Sequence, residues 1–259
     1  MLVALTRAVP PSIVHCELTH LDRAPIDPTR AAEQHRRYEE ALAALGCTVR
    51  RLPPTPELPD SVFVEDAAVV LPEVAVVARP GAESRRGETA SVAEALREHR
   101  PLAGIEAPGT LDGGDVLRLG DRIWVGLSRR TDAEGIRQLR GIVAPYGYRV
   151  TAVPVTACLH LKTAVTAVSD DAVLLNPAWV DPEAFAGVER IEVDPAEPFG
   201  ANALRVGGAV LYPAAHPRTR LRLEHRGLRV RTVEADELEK AEAGVTCCSI
   251  LVPVPSGGP

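Results

Sequence analysis

The group in this 259-residue sequence best placed for covalent chemistry is a cysteine at the head of an apolar run. In GVTCCSILV, Cys247 follows a glycine-containing approach and opens the segment CSILV. Such an approach keeps the backbone uncluttered and the thiol reachable. A cysteine in this setting serves either as a nucleophile or as a small buried hydrophobe. His160, in ACLHLKTAV, also stands at a strand opening, and of the seven histidines it alone has apolar neighbours at such a position. It reads as a proton carrier or as a satisfied core imidazole. With Asp112 of TLDGGDV the two form a thiol, imidazole and carboxylate set, in which the base shuttles protons while the thiolate attacks. Gly113 and Gly114 suit a backbone that passes close to a ligand, or a plain turn.

A second group of residues is charged. PDSVFVEDAAVV carries Asp60, Glu65 and Asp66, the last two directly before an apolar strand with no cation nearby in sequence. These acids either cap turns and pair with Arg79 or Arg85, or they bind a cationic ligand. A carboxylate about 4 Å from a cation is worth roughly 4 kcal/mol at an effective dielectric near 20. Arg85-Arg86 and Arg129-Arg130 each follow a hairpin and precede a helix. If one of each pair turns inward, the two guanidinium forks could hold a carboxylate bidentately.

The elements that must position these groups are written as a repeat. A polar residue leads an apolar run, a tight turn and a second apolar run at Asp66, Asp115, Lys162 and Asn202, with turns at residues 71–73, 120–121, 169–171 and 207–208. Cys247 leads a fifth copy that lacks its second strand, and LVALTR at the start of the chain could supply it. The lead residues are spaced by 49, 47, 40 and 45 residues, as expected of one supersecondary unit repeated around an axis. Their side chains would then meet at that axis, where an unpaired buried polar group costs about 1–3 kcal/mol. The axis is therefore the expected active site. Helices are expected between the hairpins. One starts at Asp27-Pro28 with Ala31, His35, Tyr38, Leu42 and Leu45 on one face and ends at Gly46. Others cover residues 84–96, a segment opened by the capping box Thr131-x-x-Glu134, and a weaker region at 217–240 broken by Gly227. Strand pairs alternating with single helices predict one α/β domain over residues 1–259, with a flexible tail at 254–259.

Composition narrows the function. The chain is 46% hydrophobic and 25% charged with a formal net charge of −6, enough for a packed core and without the basic blocks of a nucleic-acid binder. No run reaches the ~20 apolar residues of a membrane span. Five cysteines at irregular spacing fit neither a disulfide framework nor a structural zinc. The expectation is a soluble cytoplasmic protein with neither nucleic acid nor a membrane as partner.

FVEDAAVV, ARPGAESRRGE, TLDGGDV, GLSRRT, LHLKT and TCCS occur in that order over nearly the whole chain. Together they resemble the dimethylarginine dimethylaminohydrolases, members of the guanidino-modifying superfamily that includes arginine deiminase. The resemblance implies a five-bladed α/β propeller of ββαβ modules. It implies hydrolysis of N-methylated arginines to citrulline and a methylamine, with no cofactor or metal required. Carried over by motif, Cys247 is the nucleophile, His160 the acid/base and Asp112 the carboxylate that orients it. Asp66 would grip the guanidinium with Glu65 in support, Asp60 would contact the substrate amino group, and Arg85 and Arg130 would clamp its carboxylate. Leu18 matches a lid residue and Ala241 a second site, each contacting substrate through a backbone carbonyl. The alternatives are deimination of free arginine, usually the work of longer chains with an inserted helical region, and a non-catalytic binder of arginine-like ligands. Zinc at Cys247 and His160 would be incidental. The partner implied is a small-molecule substrate, with a homodimer left open.

Overall fold

The computed structural model describes residues 1–254, so the expected tail lies outside the described residues except for Val254. The strands run β1 (Leu2–Thr6), β2 (Cys47–Arg51), β3 (Ala68–Val70), β4 (Ala75–Val77) and β5 (Leu102–Gly104). They continue as β6 (Val116–Leu119), β7 (Arg122–Leu127), β8 (Arg149–Pro154), β9 (Val165–Ala167) and β10 (Ala172–Leu175). The remainder are β11 (Glu189–Glu192), β12 (Leu204–Val206), β13 (Ala209–Pro213), β14 (Arg229–Val233) and β15 (Ile250–Pro253). They form five three-stranded sheets on one plan: an antiparallel hairpin, then a third strand added in parallel to its second strand. In the sheet β15–β1–β2 the first and last segments of the chain make the antiparallel pair, with Leu2 opposite Pro253 and Leu5 opposite Ile250. The opening strand thus supplies the fifth unit's missing partner and closes the ring.

A parallel neighbour needs a crossover, normally helical. α1 (Pro28–Ala44), α2 (Thr89–Arg97), α3 (Ala133–Val143) and, after the single turn α4 (Leu161–Ala164), α5 (Pro217–His225) serve four of the sheets. Between β10 and β11 the crossover shrinks to the 3-10 turn Pro182–Phe185. α6 (Asp236–Glu239) lies on the approach to Cys247.

The middle strands explain the ring. Successive side chains point to opposite faces, and in these strands both faces are apolar. Ile123 and Val125 of β7 enter one core while Trp124 enters the next. Val173 and Leu175 divide from Leu174 in β10, and Val210 and Tyr212 from Leu211 in β13. Val3 and Leu5 of β1 likewise part from Ala4. Five cores result, each between two neighbouring sheets, so that every sheet is covered on both sides only when the ring is complete.

Several local expectations shift by short distances. Residues 84–96 split into the 3-10 turn Glu83–Glu88 and α2, the chain tightening where Arg85 is drawn inward to Asp66 and Glu88. The cap of α3 is Asp132, whose carboxylate accepts from Gly135 N–H at 2.7 Å. Thr131 turns away, and its hydroxyl accepts from Asp112 N–H. Residues 217–240 are not one helical region: α5 ends before Gly227, at φ +76°, and the β-branched alternation of RVRTV makes β14 parallel to β13. Leu5 is fully buried in the core between the first two sheets. Leu5→Ala should lower unfolding free energy by about 2–5 kcal/mol in urea melts, and a loss below about 1 kcal/mol would show that this seam is not close-packed.

Candidate active site

The residues leading each hairpin are tied to one another around the axis. Asp66 Oδ1 accepts from Gly114 N–H at 2.9 Å, linking the unit led by Asp66 to that led by Asp115, and Asp115 Oδ1 accepts from Leu161 N–H at 2.9 Å, linking it to the unit led by Lys162. Asn202 Nδ2 donates to the Lys162 carbonyl and to Thr246 Oγ1, and Thr246 N–H donates back to Asn202 Oδ1. Glu65 N–H donates to the Cys247 carbonyl at 3.1 Å and completes the circuit. Buried polar groups thus satisfy one another, and the residues beside them are held in fixed positions. The glycine at 114 is required here, since a Cβ would lie 2.6 Å from Asp66 Oδ1 and 2.7 Å from His160 Nδ1.

His160 is buried just before α4. Its Nε2 lies 3.0 Å from Asp112 Oδ2, and its Nδ1 is 3.8 Å from Asp66 Oδ1. Asp112 is itself fixed, with Oδ1 accepting from Gly81 N–H at 2.9 Å. Burial acts to lower the His160 pKa, but the charge of Asp66 and the bond to Asp112 outweigh it and push it up to about 9. The imidazolium is therefore the resting form at neutral pH. Burial acts on Asp66 in the opposite sense, yet His160 and Arg85 hold its carboxyl well below the usual range.

Cys247 sits across the same pocket, its Sγ accepting from Gly244 N–H at 3.3 Å. Burial first, then the charges of Glu65 and Asp66, push this thiol up to about 12. Alone, the site keeps its sulfur protonated. Asp66, Asp112 and His160 offer ligand atoms all within 4.8 Å of one another, a set that could hold a divalent cation only by displacing the bonds already described.

Asp60, Asp66, Arg85, Arg130, His160, Ala241 and Cys247 line this single pocket, although they come from all parts of the sequence. Asp60 is buried, which raises its pKa against the pull of Arg85, and its Oδ2 accepts from Glu17 N–H at 3.1 Å. The two arginines differ. Arg85 is fully engaged, with Asp66 Oδ2 at 2.7 Å, both Glu88 oxygens, and the Asp60 and Phe63 carbonyls. Arg130 is equally buried, yet its Nη1 has no hydrogen-bond partner among the described residues and lies 4.0 Å from Asp112 Oδ2. Glu65 turns from the pocket to Lys162 Nζ at 2.5 Å and Thr246 Oγ1 at 2.7 Å, supporting the Cys247 approach from behind. The Leu18 side chain packs into the core between the fifth and first sheets.

A family model described as arginine deiminase matches residues 51–204. The chain is 44% identical over 250 residues to the N(G),N(G)-dimethylarginine dimethylaminohydrolase of Streptomyces coelicolor, covering 95% of each chain. A cysteine-to-serine variant of that enzyme from Pseudomonas aeruginosa, solved in complex with citrulline, superposes with a TM-score of 0.91 at 36% identity, over 96% of this chain and 98% of that one. A histidine-to-glycine variant of a dimethylarginine dimethylaminohydrolase, solved as an adduct with S-methyl-L-thiocitrulline, gives 0.92 at 36% identity over 97% and 100%. The chain belongs to the arginine deiminase family, among its dimethylarginine dimethylaminohydrolases. The five-bladed propeller expected from the sequence is the fold of these dimethylarginine dimethylaminohydrolases.

Some positioning groups escape a reading by motif. Glu88 holds Arg85, and only their spacing of three residues within SRRGE hints at it. Asp115, buried and raised to about 6 by burial, pins the residue after His160. Thr131 fixes Asp112 through its backbone, and Glu242 faces the pocket from just before Cys247. The electrostatics around the imidazole are open to direct measurement. The ring signals of His160 in a proton NMR titration should move near pH 9, and Asp112→Asn should lower that midpoint by about 1–3 units. An unchanged midpoint would mean that the carboxylate does not act on the ring.

Proposed function

We propose that the chain hydrolyses N-methylated arginines to citrulline and a methylamine through a covalent intermediate on Cys247. The observation that carries this reading is the pairing of a thiol held at a pKa of about 12 by burial, Glu65 and Asp66 with an imidazolium on the same pocket. A cation entering about 4 Å from these groups contributes roughly 4 kcal/mol at an effective dielectric near 20, or about three pKa units. A guanidinium therefore raises the thiolate fraction about a thousandfold when it arrives, and neutral ligands leave the thiol protonated.

The thiol proton leaves to solvent as the guanidinium enters beside Asp66. Cys247 Sγ then adds to the guanidino carbon, whose electrons move onto a nitrogen. His160 is protonated and anchored through Nε2 to Asp112, so its Nδ1–H is the acid that goes to the departing methylamine. Loss of the amine leaves a thiouronium on sulfur and a neutral imidazole. The imidazole takes a proton from water, the hydroxide adds to the same carbon, and collapse of that adduct breaks the C–S bond while its hydroxyl proton passes to the leaving sulfur, giving citrulline and the resting thiol. At the other end of the substrate, Arg130 carries the unpartnered Nη1 that a carboxylate could take up, and Asp60 offers a carboxylate to an amino group. Arg85 acts chiefly by fixing Asp66. All five cysteines are free thiols, which supports a reducing, cytoplasmic setting. No helix among the described residues is long and apolar enough to cross a membrane.

With N,N-dimethylarginine as substrate, Cys247→Ser should bind it and release no citrulline, and normal turnover in that variant would overturn the reading. Free arginine assayed alongside separates hydrolysis of methylated arginines from deimination. Losing a charge-assisted contact worth about 1.5–3 kcal/mol, Arg130→Gln should raise KM by roughly 10- to 100-fold and leave kcat within a few-fold. Equal losses in both parameters would place Arg130 elsewhere in the reaction.

A further inference from the structure

Residues 16–21 cross the pocket as an irregular segment without helix or strand, yet they are firmly held. Glu242 holds residues 19–21: its carboxylate accepts from Thr19 N–H at 3.0 Å, from Leu21 N–H at 2.5 Å and from His20 N–H between them, while Ser84 Oγ donates to Glu17 Oε1 at 2.7 Å and Arg23 Nη2 to the Cys16 carbonyl at 2.7 Å. Three consecutive amides on one anion form a concave site of the kind that binds charge strongly. On the other side of Leu18, Glu17 N–H donates to Asp60. Leu18 is thus suspended between two anchored residues, and its segment covers the pocket. The open space beneath amounts to only ≈ 10 Å³, about enough for one water molecule. An amino acid with a guanidinium side chain enters only if the segment lifts.

Glu242 is also conformationally exceptional. Its φ of +57° is positive, and it is the one non-glycine residue with a positive φ among those described. A side chain in this region is strained, and such strain concentrates at ligand clamps and switch regions. The turn aims the carboxylate at the covering segment and places Ala241 and Ala243, its neighbours on either side, in the pocket wall. Five residues later the same stretch of chain carries Cys247, held by Gly244 N–H.

We propose that Glu242 is a positioning residue that latches residues 16–21 over the pocket and so sets how tightly substrate is retained. The proposal rests on the functional reading above for its kinetic consequence, and on geometry alone for the latch. The reading gives Asp60 to the substrate amino group. When that group arrives it competes with Glu17 N–H for the Asp60 carboxylate. Ser84 and Arg23 still hold Glu17 and the Cys16 carbonyl, and Glu242 is then the anchor of the half beyond Leu18, so closure of that half over bound substrate depends on it. The Arg130 Nη2 contact to Thr19 Oγ1, at 3.3 Å, is longer and weaker.

The test uses the full chain with Glu242→Gln, which keeps the shape but removes the charge, and Glu242→Ala. In the absence of substrate, the rate of iodoacetamide alkylation at Cys247, read by peptide mass, should rise at least about tenfold in both variants, while buried Cys16 and Cys248 stay unmodified. With dimethylarginine, KM should rise by about tenfold, as expected when the binding-competent closed state falls to about a tenth of the population, and kcat should change less than KM. Unchanged labelling in both variants overturns the latch, as does a fall in kcat with KM and labelling unchanged, which would mark a purely structural role. If the Ala variant melts early, the Gln variant decides. Should the unsubstituted chain turn over no methylated arginine, the functional reading fails by itself and the labelling rates still decide the latch.

Discussion

The constraint on which the rest of this structure depends is that the middle strand of every sheet is apolar on both faces. A strand of that kind cannot have one side in water, so each sheet needs a neighbour on either flank. Five such sheets satisfy one another only in a closed ring. Closure forces the starts of five hairpins toward one axis, where the lead residues are polar. Those residues can be buried there because they complete a circuit of hydrogen bonds from Asp66 through Gly114, Asp115, Leu161, Lys162, Asn202 and Thr246 back to Glu65. The packing of apolar surface and the satisfaction of polar groups thus select the same arrangement, and the pocket is its consequence.

Within that frame the chemistry is set by an excess of buried acid. Asp60, Asp66, Glu88 and Asp112 crowd around Arg85, Arg130 and His160. Glu65 and Asp66 raise the cost of a thiolate at Cys247, and Asp66, Asp112 and Asp115 lower the cost of an imidazolium at His160. The result is an inverted pair at rest, with sulfur neutral and imidazole charged. In the proposed reaction an incoming cation shifts the balance at sulfur toward the thiolate, which links recognition of charge to the nucleophile. The imidazolium is already the proton donor that a departing amine needs.

The two arginines illustrate how neighbours decide a role that residue type leaves open. Both follow hairpins, both are buried, and as a sequence pattern the pairs Arg85-Arg86 and Arg129-Arg130 are equivalent. Glu88 stands one helical turn after Arg85 and joins Asp66 in taking up its donors. Arg130 has no such companion, and its nearest acid, Asp112, already holds His160. Arg130 Nη1 is therefore left without a hydrogen-bond partner on a residue of the pocket wall, while Arg85 is tied to Asp66.

Much of this was legible in the order of amino acids. The turns at 120–121 and 207–208, the Asp27-Pro28 start of α1 and the unpaired hairpin half at Cys247 follow from local rules of turn, cap and alternation, which act over a few residues. The motifs around Cys247, His160 and Asp112 likewise pointed to one chemistry. Local rules failed where a distant group outbid a near one. Thr131 fits a cap by spacing, but Asp112, nineteen residues away, takes its hydroxyl. The stretch at 217–240 has helix formers on both sides of Gly227, but the open edge of β13 draws the β-branched RVRTV into a strand. The pKa values of His160 and Cys247, the engagement of Arg85 and the hold of Glu242 on residues 19–21 belong wholly to the tertiary structure. Each depends on charges or amides brought together from far along the chain, and Coulomb energy and hydrogen bonding are set by separation in space and by exclusion of water, neither of which is written in sequence spacing.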